Sequence, residues 1–271
     1  MSIFIGLGDL HGQVATLDQL RVVQERYPGA ITVFIGDYID TFGENQGFEL
    51  IEQIRAMQLA DSRHVVVLMG NHEQAAADFF DDECKSAWLR FGGENTLTTA
   101  ALSLGGYQDV MQDRRLLLER KRGLIDWMRA LPLTYTAGKL FFVHAGLDLT
   151  LADSIHETSD DDLLWIRAKY WYNGSLSWGT FGHNPLNFSL ITGHTANGMI
   201  MGGYDGQSGT ERPIDKQESE HSPIYTIQYP GEMPRYLMDG GVGEGDPRIL
   251  GNIGVFDGET GLLIDKVEDQ T

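Results

Sequence analysis

Apolar positions along this chain fall into short runs, and five of the runs end on a polar turn of one kind. Ile3 to Leu7, Ile31 to Ile35 and His64 to Met69 are β-branched or apolar stretches suited to buried strands. Amphipathic segments around Val14 to Arg26 and Gly47 to Gln58 separate them. The pattern predicts a βαβαβ unit: a parallel sheet flanked by helices, with ligands gathering beyond the carboxyl ends of the strands. The five turns sit at strand ends of this kind: Gly-Asp9-Leu-His11-Gly, Gly-Asp37-Tyr-Ile-Asp40, Gly-Asn71-His72-Glu73, Val-His144-Ala-Gly and Thr-Gly-His194-Thr.

Further along, the spacing changes. From Ala75 to about Leu131 the apolar residues recur at helical intervals, which predicts a helical insertion over about residues 75–131. Strand signals return at Leu133 to Thr136 and Leu140 to Val143, joined by Ala137-Gly138, and again at Ser189 to Thr192, enough for a second sheet. Ala196 to Asn252 is rich in Gly, Pro, Asp and Glu, with a strand-like piece at Ile224 to Gln228, and reads as loops suited to substrate contacts. The tail predicts a hairpin from Gly254 to Asp257 and Gly261 to Asp265 about Glu259-Thr260. The motifs run from near the start to His194 without a Ser/Pro-rich linker, so one α/β domain over residues 1–271 is expected.

Charge narrows the function. A formal net charge of -19 opposes wrapping a nucleic-acid backbone. A phosphate substrate is still compatible, because bound divalent cations reverse the potential inside one cleft. Cys84 is the only cysteine, which rules out an intrachain disulfide and a thiolate metal cluster. The apolar start is too short for a signal-peptide core and no stretch approaches a membrane span, so a soluble cytoplasmic protein is expected.

The turns collect Asp, His and Asn without sulfur, a ligand set that suits Mn, Fe or Zn, with Mn the first choice. Asp37 is the natural bridge between two cations. Asp9 and His11 would complete one site with it, and Asn71, His144 and His194 the other. Two cations roughly 3.5–4 Å apart generate hydroxide near neutral pH and hold the oxygens of an in-line displacement at phosphorus. His72 could then protonate the leaving alkoxide, with Asp40 orienting its imidazole, and Glu73 would support the turn.

In order, these motifs resemble the signature of the calcineurin-like metallophosphoesterases of the phosphoprotein phosphatase type. That group includes Ser/Thr protein phosphatases, lambda phosphatase and symmetrical diadenosine tetraphosphatases. The resemblance implies a β-sandwich flanked by helices, with the ligand roles above and Asn71 also touching substrate. Trp88-Leu-Arg-Phe-Gly-Gly-Glu-Asn-Thr-Leu97 is similar to a stretch that follows the third motif in bacterial members. Leu163-Leu-Trp165-Ile-Arg167 is similar to the segment carrying a phosphate-contacting arginine, which gives Arg167 that role.

One position departs from the pattern. Protein phosphatases of this type read Arg-Gly after the last Asp of the second motif, and that Arg clamps the phosphate. Here Thr41 and Phe42 stand there, which leaves Arg90, Arg235 or Arg248 as candidates to substitute. The expected activity is hydrolysis of phosphate monoesters by a metal-bound hydroxide, with phosphoserine or phosphothreonine in a protein, or a small phosphoester, as substrate. Two alternatives stand beside it: a dinucleoside polyphosphate hydrolase or phosphodiesterase, and a metal-bearing phosphate-binding protein with little turnover.

Simpler roles are expected elsewhere. His64, His156, His183 and His221 read as surface or structural histidines. Asp81-Asp82-Glu83 and Asp160-Asp161-Asp162 read as acidic caps preceding helices. Trp165, Tyr170, Trp171 and Tyr172 read as buried packing, with nucleobase stacking the lesser alternative.

Overall fold

The computed structural model describes residues 2–41, 43, 46–106, 109–172, 179–205 and 221–268. Strands β1 (Ile3–Leu7), β2 (Ile31–Phe34) and β3 (Val65–Val67) alternate with helices α1 (Thr16–Arg26) and α2 (Glu49–Ala60), as the periodicity predicts. β1 pairs parallel with β2, and β2 with β3. Helix α3 (Asn71–Asp81) starts directly on the third motif, and α4 (Gly93–Ser103), α5 (Val110–Arg120) and α6 (Arg122–Arg129) complete the helical insertion.

The second half builds the second sheet. β4 (Thr134–Ala137) and β5 (Leu140–Val143) form the expected antiparallel pair. Short helices α7 (Ser154–Glu157), α8 (Asp160–Trp165) and α9 (Ala168–Trp171) follow. β6 (Gly179–Thr180) and β8 (Gly202–Gly203) make a small two-stranded sheet around β7 (Ser189–Thr192) in sequence. β9 (Tyr225–Ile227), β10 (Arg235–Leu237), β11 (Ile253–Asp257) and β12 (Leu263–Val267) finish the chain. The large sheets run β12-β11-β1-β2-β3 and β4-β5-β7-β10-β9, so the closing hairpin returns to the first sheet beside β1.

A core of Phe4, Val33, Ile35 and Leu68 from one sheet and Leu140, Phe142 and Ile191 from the other fills the space between them. Two further cores seat helices on the outer faces, one around Leu17, Leu20, Ile51, Ile54 and Phe79, the other around Leu163, Ile166, Tyr170 and Phe181. The result is a β-sandwich flanked by helices. β5 and β7 are therefore buried along their whole length, which is why β5 reads as an unbroken apolar run and β7 carries Leu190 and Ile191 side by side instead of an alternating pattern. No helix of the described residues is long and apolar enough to cross a membrane.

Two expectations need correction. Asp81 ends α3 and Asp82 is its C-cap, so this acidic run closes a helix. Charge partners hold it there: Arg129 pairs with Asp81, and Arg114 reaches Glu83 at 3.8 Å. The second acidic run does open a helix, with Asp160, Asp161 and Asp162 in the first turn of α8 behind the Ser159 cap. The other correction is β10, an interior strand of the second sheet in a stretch expected to be loops; it is only three residues long and Pro234 immediately precedes it.

Candidate metal and phosphoester site

All five motifs meet at one end of the sandwich. Among the described residues, the non-glycine residues with positive φ are Asp9, His11, Asp37, Asp40 and His194, all from these motifs. Left-handed backbone is sparsely populated outside glycine, though Asp and His tolerate it better than most, and each such residue costs about 1–3 kcal/mol. Its concentration here means the surrounding structure dictates the turns.

Glu73 supplies much of that constraint. Its buried carboxylate accepts the backbone N–H groups of Asp37 (2.9 Å), Tyr38 (2.8 Å) and Gly70 (3.0 Å), joining the end of β2 to the start of α3. The last bond is half of a capping box. Burial and the nearby Asp37 charge push its pKa up to about 7, against the bond from Tyr38. Gly36 and Gly70 let these turns touch: a Cβ on Gly36 would lie 2.6 Å from the Gly70 Cα, and Gly36 has a φ of 108°. The supporting role expected of Glu73 thus has a geometric basis.

Around Asp37 the side chains form two overlapping groups able to hold a cation, His11 with Asp37 and His72, and Asp37 with His144 and His194. Asp37 Oδ2 lies 3.4 Å from His144 Nε2 and 3.9 Å from the Nε2 atoms of both His11 and His72. Burial raises the Asp37 pKa, but His144, His72 and His11 reverse this and hold the carboxyl well below its usual range. Asn71 Oδ1 stands 2.8 Å from both His144 Nε2 and His194 Nδ1, which brings it into the second group.

Backbone carbonyls orient two of the imidazoles. His144 Nδ1 donates to Ile35 O (2.9 Å) and His11 Nδ1 to Asp40 O (2.6 Å), which leaves each ring's Nε2 on the Asp37 side. Asp9 sits on the His194 side, with Oδ1 accepting the His194 N–H at 2.6 Å. Gly193 makes that approach feasible, because a Cβ there would fall 1.8 Å from Asp9 Oδ2. The mutual-reach group at His11 therefore contains His72 where Asp9 was expected.

Whether these residues suit divalent cations is tested by their unmet needs. Asp9 Oδ2 and His194 Nε2 are buried without a hydrogen-bond partner. Burial, with Asp239 and Asp37 close by, pushes the Asp9 pKa well up, and burial with His144 and Arg167 nearby pulls that of His194 well down. A buried crowd of carboxylates and imidazoles, all N and O donors with two of these atoms left unpartnered, is a donor set that divalent cations would complete.

Next to this group lies a hydrogen-bonded pair. His72 Nδ1 is 2.8 Å from Asp40 Oδ2, and Trp88 Nε1 donates to the same oxygen at 2.7 Å while Thr96 Oγ1 donates to Oδ1. The Trp88 to Leu97 stretch thus has a physical purpose, since it fixes the carboxylate that holds His72. Burial lowers the His72 pKa, but Asp37 and Asp40 outweigh it and raise it to about 9.

The site opens into a cleft of about 350 Å³ lined by His11, Asp40, His72 and His194 on the polar side. Arg167 lines it too, its Nη1 donating to His194 O (3.0 Å) and to Thr195 Oγ1. Among the described residues it is the one arginine lining this cleft. The candidate substitutes for the missing clamp are not there. Arg235 is buried, donating to Tyr170 O and Gly182 O; Arg248 pairs with Asp246 at 2.6 Å; and Arg90 is exposed outside the lining. Thr41 lines the cleft, whereas Phe42 lies outside the described residues.

Asp239 was missed by sequence reasoning. It is buried on the cleft just beyond β10, its Oδ1 accepting the Gly241 N–H at 2.8 Å, and burial raises its pKa despite nearby His11. Tyr236-Leu-Met-Asp239-Gly-Gly carries the same signature as the other turns, an apolar run ending on Asp beside glycine, and that signal could have found it. The remaining histidines have local partners, His64 with Asp61, His156 with Asp153, His183 with Glu232 and His221 with Asn252. Tyr170, Trp171 and Tyr172 are buried, as the packing reading expects, whereas Trp165 is half-buried, its ring beside those of Phe91 and His194.

A two-sheet sandwich with this cluster at its strand ends defines a metallophosphoesterase-type protein. Residues 3–198 match the model of the calcineurin-like phosphoesterases, and the chain belongs to that family. Its fold is similar to that of a crystal structure of a candidate diadenosine tetraphosphatase (TM-score 0.54, 14% identity, covering 99% of this chain and 94% of that one). It is also similar to a protein serine/threonine phosphatase from Saccharomyces cerevisiae with similarity to human phosphatase PP5 (0.55, 13%, 100% and 81%). A cold-active protein-tyrosine phosphatase of a psychrophilic Shewanella gives 0.50 at 15% identity, covering 100% and 81%.

Proposed function

We propose that this chain hydrolyses phosphate monoesters on proteins, with two divalent cations, Mn first among them, held by Asp9, His11, Asp37, Asn71, His144 and His194. The observation that carries this reading is the His72–Asp40 pair set beside the Asp37 clusters. A proton donor fixed by a carboxylate serves to protonate a departing alkoxide, which the esters of serine and threonine require and a binding protein does not.

When bound, the cations supply Lewis acidity toward water and the phosphoryl oxygens. The chain's own side chains do the rest. Arg167 orients a phosphoryl oxygen from the cleft wall, and Asn71, whose Oδ1 lies beside His144 and His194, takes the double part of cation ligand and donor to the ester. His72 delivers its proton from Nε2, with Nδ1 held by Asp40, whose own position is fixed by Trp88 and Thr96.

A dinucleoside polyphosphate fits less well. Its extra phosphates would need further cations, whereas the cleft offers Arg167 alone among described arginines and carries Asp239 and Glu244. The test is turnover by Mn-loaded protein of a phosphoserine peptide, an aryl phosphate and diadenosine tetraphosphate. We expect hydrolysis of both monoesters, abolished by chelation. Turnover confined to the dinucleotide would replace this reading, and tight phosphate binding without turnover would leave a binding protein.

A further inference from the structure

The cleft has a second wall that the hydrolytic chemistry does not use. Two of the seven exposed large apolar side chains among the described residues, Phe91 (41% exposed) and Met199 (58% exposed), line it together with the buried Trp171. Keeping such side chains in water has no stabilising value for the fold, and their meeting at one cleft marks an apolar contact surface. Phe91 also continues a row of rings leading out from the cluster: His194 to Trp165 is 6.0 Å between centroids, and Trp165 to Phe91 is 6.1 Å. Trp165 is fixed in that row by its Nε1 bond to Gln74 at 3.0 Å.

The location of this wall determines which part of a substrate meets it. Phe91 and Met199 line the same cleft as His72, Arg167 and His194, so once the phosphoryl group is seated among those polar side chains, the part of a monoester left to meet the apolar wall is its leaving group. Asp239 and Glu244, also on the cleft, disfavour a leaving group that carries more phosphate. We propose that Phe91 and Met199 form a specificity shelf for a flat aromatic leaving group, so that aryl phosphates of the phosphotyrosine type are bound through the ring in a way that phosphoserine is not. Aromatic pairs and Met–aromatic contacts supply the attraction. The shelf rests on the monoesterase reading and adds the substrate class.

The experiment compares each substrate with itself across variants, which cancels the inherent difference between phenol and alcohol as leaving groups. Phe91→Ala and Met199→Ala, loaded with Mn and checked for fold by circular dichroism, are assayed on one peptide carrying either phosphotyrosine or phosphoserine. The ratio of kcat/KM, phosphotyrosine over phosphoserine, is expected to fall about tenfold for Phe91→Ala and about threefold for Met199→Ala. An unchanged ratio overturns the shelf. Binding of phenylphosphonate and methylphosphonate to the Mn-loaded protein separates this idea from the hydrolytic one: Phe91→Ala should weaken the first about tenfold more than the second. If wild type turns over neither peptide but shows that binding difference, the monoesterase reading fails while the ring-binding shelf stands. If the two phosphonates weaken equally, the shelf fails whatever the turnover.

Discussion

The two sides of the cleft are built differently. On one side the five motif turns are buried, strained in backbone and cross-linked, with Glu73 alone tying three backbone N–H groups together at 2.8 to 3.0 Å. On the other, Thr41, Phe91, Met199 and Glu244 come from loops or helix ends, and three of those four side chains are exposed. Buried turns tolerate little change because each polar atom already has an assigned partner or an assigned deficit. Exposed side chains on loops can vary without unfolding the chain. Chemistry is therefore fixed by the first side and selectivity adjusted on the second.

The largest effect should come from breaking the buried side at its centre. Asp37 faces all four imidazoles of the site through direct approach or shared charge, so Asp37→Ala leaves both cation groups without their common carboxylate. We expect activity to fall by more than about 10⁴-fold and metal content to drop below one ion per chain. Full metal content by elemental analysis in an inactive variant would show that Asp37 does not hold the ions.

His72→Asn should follow. Turnover of an alkyl phosphate should fall by about 10²–10⁴-fold with metal content retained, and an aryl phosphate should lose less because its leaving oxygen needs less help from an acid. Equal losses on both substrates would give His72 a binding or structural role. A smaller effect of the same kind is expected from Asp40→Asn, about 10–100-fold on the alkyl substrate, because the imidazole remains while its orientation loosens. If Asp40→Asn matched His72→Asn in size, Asp40 would be more than an orienting group.

The contrast between the two sides also explains what was legible in the sequence. Asp9, His11, Asp37, Asn71, His144 and His194 could be read because each ends a buried apolar run, and a sheet has only one place to bring such ends together. β1 and β5 appeared at their observed bounds because strands buried on both faces leave a continuous run without charged or polar side chains, and β7 because its Leu190-Ile191 pair leads straight into the Gly-His194 turn. Asp239 escaped because β10 is three residues long and acquires its strand character from neighbours β7 and β9. The reach of Arg167 and the isolation of Arg235, Arg248 and Arg90 from the cleft depend on tertiary placement, which no local pattern encodes. The shelf was illegible too, since Phe91 and Met199 lie 108 positions apart and look like ordinary surface residues in isolation.

The smallest expected effect sharpens the comparison from the variable side. Thr41 lines the cleft beside Asp40 and His72, its hydroxyl 3.3 Å from the Gly43 N–H, and no described arginine other than Arg167 reaches the same space. Thr41→Arg would place a second guanidinium where a phosphoryl oxygen needs a partner, and a charge-assisted pair of this kind is worth more than a neutral contact. Part of that gain is lost to ordering a long side chain and fitting its stem at a buried position on the cleft edge, so the net expectation is a three- to tenfold rise in kcat/KM for a phosphoserine peptide. A diester has one anionic charge fewer on phosphorus and a second substituent to house, so any such activity should fall as the new side chain occupies the cleft. Steady-state kinetics on both classes, with metal content and melting temperature matched to wild type, decide between the outcomes. A gain on monoesters with a loss on diesters would mean that this position sets selectivity over an unchanged catalytic base, and equal loss on both would mean that Thr41 belongs with the fixed side of the cleft.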